Sequence, residues 1–288
     1  MEQILAYKPN ISDSTKRTYQ QTFKRAEKYF KKPLYEVTPQ QVCNAVDIML
    51  SKGDNINTVK AFINICILFY QATERDASLM IERRNSLNGV LSEYVKERKR
   101  EKAESLVTYD TLLENMEFEY ETGNRRNYIV QYLFLHYALR NKDINLKIVK
   151  VTRDTLEDTS TNYMVTNVLI DKKFIIKLII NNYKTASTYG QKIIIITDQK
   201  FVKATRAFVS DKTWLLTDKE KPLQDISLAT TIQAFTYKRN TESNYFKSCI
   251  IWANTQQHTT TLLKEFSKTR GTDINTILNS YDCDEKSI

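Results

Sequence analysis

Apolar residues recur at three- and four-residue steps through the first third of the chain. Tyr19, Phe23, Ala26, Tyr29 and Phe30 fall on one stripe after Ser12-Asp13-Ser14, whose side chains can accept from the first amides of a helix. Pro33 ends that helix. Thr38-Pro39-Gln40-Gln41 reads as an N-cap, a first-turn proline and a second helix bearing Val42, Val46, Ile48, Met49 and Leu50. After the break at Gly53-Asp54-Asn55, a third helix carries Val59, Phe62, Ile63, Cys66, Phe69 and Tyr70. The pattern predicts a fourth helix from about Ala77 to Lys99, and residues 1–11 read as a short arm.

Beyond residue 105 the period is mixed. Leu106 to Leu113 starts a helix, and Arg126 to Tyr137 is a strongly apolar one. The β-branched runs Val149–Val151, Tyr163–Ile170, Phe174–Ile180 and Ile193–Ile196 predict strands, with an extra strand pair around Thr159–Lys173. Helices are expected over Gln199–Ser210 and Leu228–Lys238, and again after Asn244. The fold class expected is α+β, mainly α. Residues 1–105 form a helical bundle, and residues 106–288 form a mixed domain with a small antiparallel sheet.

Composition changes this picture in two ways. Of 288 residues, 41% are hydrophobic, enough for real cores, and only five are glycine, which disfavours a Gly-rich nucleotide fold. Lys and Arg outnumber Asp and Glu by 43 to 34, a net charge of +9 that suggests a polyanionic partner, DNA or RNA before a membrane. More than half of that excess lies in residues 1–105, where Lys16, Arg17, Lys24, Arg25, Arg98 and Arg100 are candidate phosphate contacts. Lys96 to Lys102 is a mixed-charge run, either a helix end held by ion pairs or a linker along phosphates. Cys43, Cys66, Cys249 and Cys283 show no Cys-x-x-Cys spacing and there are no paired histidines, so a zinc site is not expected; no cofactor is expected either. Free thiols, the lack of a signal-like start and the lack of a bilayer-length apolar run lead to the expectation of an intracellular, cytoplasmic or nuclear protein.

The candidate chemistry lies in the second part. Leu139-Arg140, followed by Asp143 and Leu146, closes the apolar helix. Lys184-Thr185 lies between two apolar strands. Asn244 and Lys247 open a helix, and Gly271-Thr272 precedes Tyr281 by a nine-residue step from Thr272. In this order and spacing the chain resembles the tyrosine recombinase (phage integrase) family, and the resemblance covers nearly its whole length. Box I of that family reads Thr-Gly-Leu-Arg, with Ala138 here in place of Gly. Asn244, Lys247 and Thr272 stand where the family has His, Arg and His. The N-terminal segment resembles the family's core-binding (SAM-like) bundle.

The resemblance implies that Tyr281 attacks a phosphodiester to form a 3′-phosphotyrosyl bond. Lys184, preferred over Lys177 and Lys192, would protonate the leaving oxygen, and Arg140 would hold the phosphate oxygens. Lys247 keeps a charge but not the two-pronged geometry of arginine, and Arg270 or Arg239 is an alternative second arginine. The partner implied is double-stranded DNA, with a homo-oligomer on DNA left open. Two further readings stay open: a catalytically reduced DNA-binding or architectural protein, and a topoisomerase-like nicking and closing enzyme.

Overall fold

The computed structural model describes residues 1–89, 105–150, 156, 158–209 and 212–281, the last three by backbone alone. The chain divides into two compact units, Met1–Glu101 and Lys102–Ile288. The expected cations Arg98 and Arg100, the charge run around them, and Cys283 lie outside the described residues.

The first unit is helical: α1 (Glu2–Tyr7), α2 (Asp13–Phe30), α3 (Pro39–Ser51), α4 (Ile56–Ala72) and α5 (78–89). Its helix starts follow local chemistry. Ser12 Oγ accepts from the Thr15 amide at 3.3 Å, and Thr38 and Gln41 form a reciprocal capping box before Pro39. Helix α4 is buried along most of its length, and aromatic edges lock α2 onto it: Phe23 meets Phe69 at 5.6 Å and Tyr29 meets Phe62 at 5.4 Å. The expected N-terminal arm is instead the helix α1, which packs on α4. Its one buried residue, Ile4, is fully enclosed in the core, and that apolar anchor is what fixes the segment.

The second unit contains α6 (Tyr109–Glu121), α7 (Arg125–Tyr137), β1 (Leu146–Lys150), β2 (Asn162–Ile170), β3 (Lys173–Ile180), the one-turn α8 (Ala186–Tyr189), β4 (Lys192–Ile196), α9 (Gln199–Phe208), α10 (Asp225–Gln233), α11 (Glu242–Asn254), α12 (Thr259–Arg270) and α13 (Ile274–Tyr281). Helix α7 is buried continuously from Tyr128 to Leu135 and forms the centre of the core. The four strands lie in sequence order, but the sheet is mixed: β1 pairs parallel with β2, while β2–β3 and β3–β4 are antiparallel. This corrects the all-antiparallel expectation. A parallel pair needs a crossover rather than a tight turn, which periodicity does not register. The expected extra strand pair is one strand, β2, joined to β3 by a turn in which Asp171 and Lys172 take positive φ.

Two expected helices shift. Helix α9 ends at Phe208, and the stretch Leu228–Lys238 divides into α10, starting at Asp225, and a 3₁₀ turn at Tyr237–Arg239. Buried Asn162 fixes the sheet to the segment after α7. Its amide donates to the carbonyls of Lys142 at 3.1 Å and Asn182 at 3.0 Å, and its Oδ1 accepts from the amides of Asn181 and Asn182.

The docking of α1 is testable. Ile4→Ala should cost about 2–5 kcal/mol, the usual loss for a fully buried isoleucine, read from urea unfolding of the full chain. A change within error would show that α1 does not seal the first unit's core.

Candidate active site

Helix α7 ends at Ala138 in the left-handed region, φ 50° and ψ 33°. This is the conformation that ordinarily favours glycine, at the position where box I of the resembling family carries one. The turn throws Arg140 out of the core, and Asp143 holds it by accepting the Arg140 amide at 3.1 Å. Asp143 is fully buried. Burial raises its pKa above the ordinary carboxylate value, while Lys192, Arg140 and Arg270 pull in the other direction.

The half-buried Arg140 side chain crosses to the end of α12. Its Nη1 donates to the Arg270 carbonyl at 2.6 Å, and its Nη2 donates to Thr272 Oγ1. Two other segments reach the same helix end. Lys192, at the start of β4, donates to the Thr269 carbonyl at 2.9 Å, and Thr185 Oγ1 donates to the Gly271 carbonyl at 2.8 Å. Arg140, Lys192 and Thr185 thus cap three successive carbonyls, where a helix C-terminus attracts positive charge and donors. The Lys192 ammonium also sits over the Tyr183 ring, 3.5 Å from its centroid.

Gly271 makes this packing possible. It takes φ +60°, and a Cβ added there would lie 2.8 Å from Thr185 Oγ1, 3.0 Å from Lys192 Nζ and 3.1 Å from the Tyr183 ring. Burial, together with Arg140 and Arg270 and against the opposing pull of Asp143, lowers the Lys192 pKa to about 8. The segment then continues into α13, which carries the backbone of Tyr281; the tyrosine side chain lies outside the described residues.

The sequence-selected residues therefore divide. Arg140 and Thr272 are brought together, and their contact spans most of the second unit's sequence. Lys184 is exposed, and the lysine that joins Arg140 at the end of α12 is Lys192. Asn244 and Lys247 sit on the first turns of α11. Asn244 donates to Asn240 Oδ1 at 3.1 Å, and its own Oδ1 is buried without a partner among the described residues. Lys247 is 9% exposed and has no hydrogen bond or ion pair among the described residues.

Arg270 is buried within the fold. It pairs with Glu242, donates to the Ala138 carbonyl at 3.0 Å and lies over the Phe246 ring. Arg239 is exposed on the 3₁₀ turn. Sequence reasoning did not single out Asp143 as the holder of the Arg140 turn or Thr185 as a cap, and it ranked Lys192 behind Lys184. The one available signal was the Lys-Ile-Ile-Ile-Ile strand start, which places a cation at the mouth of an apolar hairpin.

In the first unit, α2 presents Arg17, Lys24 and Arg25 exposed and without an ion-pair partner among the described residues. Lys16 is half-buried and pairs with Asp13 at 3.2 Å. Among the described residues no cluster of His, Cys, Asp and Glu could hold a metal, and no helix is long and apolar enough to cross a membrane.

Two measurements test this site. Gly271→Ala should destabilise the second unit by about 1–3 kcal/mol or more, from backbone strain and from the crowded Cβ. Gly123→Ala, at φ +82° with open space around it, reports the backbone part alone. Equal losses at the two positions would refute the packed junction. In lysine labelled with carbon-13 at Cε, the signal that disappears in Lys192→Arg should titrate near pH 8 and lose its charge above that value. A midpoint in the ordinary lysine range would contradict the buried placement.

No protein-family model matches the chain, and no curated protein matches it. Among solved structures, it is similar to the crystal structure of XerA recombinase at 14% identity and a TM-score of 0.34, covering 99% of this chain and 94% of that one.

Proposed function

We propose that this chain binds duplex DNA and acts on it by the chemistry of tyrosine recombinases, breaking and rejoining a strand through Tyr281. The observation that carries this reading is the convergence of Arg140, Lys192 and Thr272 on the end of α12, directly before the helix of Tyr281. The bundle's open cation face on α2 supplies sequence-independent attraction to phosphates.

The step needs no metal. Tyr281 Oη gives up its proton to solvent as it attacks phosphorus, the bond to O5′ breaks, and a proton passes to the departing O5′. Lys192, whose pKa of about 8 leaves it a protonated donor at neutral pH, is the candidate for that transfer. Arg140 would then meet the nonbridging oxygens. Lys247, buried and unpartnered among the described residues, is a further cation that a phosphate would satisfy.

A second reading, DNA binding without cleavage, is favoured by the terminal guanidinium nitrogens of Arg140, which bond to protein oxygens, and by Arg270, which is held by Glu242. Loss of one preorganised donor costs about 10²–10³ in rate, so several replacements together would leave a binder.

One experiment separates the readings. Fluorescence anisotropy with duplex DNA should show affinity that falls steeply with salt; no binding at low salt would refute both. A nicked suicide duplex incubated without metal should give a covalent adduct on a denaturing gel, and Tyr281→Phe should abolish the adduct while retaining binding. Salt-dependent binding with no adduct would select the second reading.

A further inference from the structure

A cleft of about 530 Å³ opens beside the capped end of α12. That volume falls in the range of small-molecule sites and far exceeds a lone phosphate. Its walls are of two kinds. Tyr137, Tyr189, Ile193 and Ile194 are apolar or aromatic, while Lys192, Lys268 and the hydroxyl residues Ser267, Thr269 and Thr272 are grouped along α12 and the mouth of β4.

Among the described residues no carboxylate lines the cleft, so its two lysines set the sign of that lining. Lys192 also donates to the Thr269 carbonyl, and the carbonyls of Gly271 and Thr272 accept from Thr185 and Ser267. Lys268 is exposed and has no partner among the described residues. Tyr189 is 55% exposed and Ile193 is 52% exposed. Scattered apolar groups at a surface need no explanation, but these two flank one basic cleft.

We propose that this cleft binds a nucleoside monophosphate unit, its base against Tyr189 and Ile193 and its phosphate at Lys268 and Lys192. Base–aromatic contact tolerates any base because each has a π face, and the lysines add charge complementarity to the phosphate. The unit has two possible sources, a free mononucleotide or a nucleotide turned out of a duplex. The first is independent of the DNA reading above; the second rests on it.

The test uses the full chain. Thymidine 5′-monophosphate is titrated by calorimetry, with inorganic phosphate as comparator, and a duplex carrying 2-aminopurine is titrated by fluorescence. If the source is free nucleotide, the monophosphate binds at least about tenfold more tightly than phosphate. If the source is DNA, 2-aminopurine brightens as it leaves the stack, since unstacking relieves its quenching. Either signal should fall about tenfold in Tyr189→Ala and in Lys268→Ala, and Tyr189→Phe should retain it. Both alanine variants lie at exposed positions and should unfold at the wild-type temperature. The proposal is overturned if neither probe responds, or if the response persists in both alanine variants. Anisotropy with unmodified duplex distinguishes that failure from a failure of DNA binding.

Discussion

Three consecutive carbonyls at the end of α12 accept hydrogen bonds from side chains that start in three other segments: Lys192 on β4, Arg140 after α7 and Thr185 after β3. A helix end leaves such carbonyls unsatisfied unless something caps them, and a buried bare carbonyl is costly. Here the capping requirement and the helix dipole select cations and a hydroxyl. The same contacts that complete α12 therefore gather the second unit's candidate chemistry. Gly271 is the condition for this, because a side chain there would occupy the space of Thr185, Lys192 and Tyr183 together.

The charges behind the junction form a linked set. Asp143 is buried near Arg140, Lys192 and Arg270, and Arg270 is closed off by Glu242, a residue of the first turn of α11. An acidic group at a helix start is favoured by the dipole, and a buried arginine is tolerable when its charge and donors are met. Arg270 joins the ends of α7 and α12 to the start of α11. It is the residue on which the site's frame rests rather than one that is offered to a ligand. Arg140 differs: its side chain is half-buried, and its acceptors lie on the short segment between α12 and α13. A phosphate that engaged Arg140 would compete with those acceptors.

The two units carry different kinds of attraction. On α2 Arg17, Lys24 and Arg25 are exposed, which would suit a phosphate backbone without reading bases. At the end of α12 they are partly desolvated and held in place, which strengthens each interaction with an anion and narrows its geometry. On the proposed DNA-binding reading, the first would favour encounter and the second one phosphate in one position.

What the sequence determined by itself is the local part. Helix starts at Ser12 and Thr38 were legible because capping chemistry is local, and the buried stretch of α7 because its apolar run is continuous. Arg140 followed from the motif at the end of that run. What only tertiary structure decided is which distant groups meet. Lys184 and Lys192 bracket the same turn, and periodicity does not separate them; the one-turn helix α8 lies between them, Lys184 stays in solvent and Lys192 faces α12. Helix α1 looked like an arm because a six-residue amphipathic segment is too short to signal itself, and its order comes from Ile4 reaching the core. The parallel pairing of β1 with β2 depends on a crossover, and the roles of Asn162, Asp143 and Gly271 depend on neighbours far away in the chain. Local hydrogen bonding and periodicity are written in short windows of residues, whereas the closing of long loops onto a single helix end is a property of the packed chain.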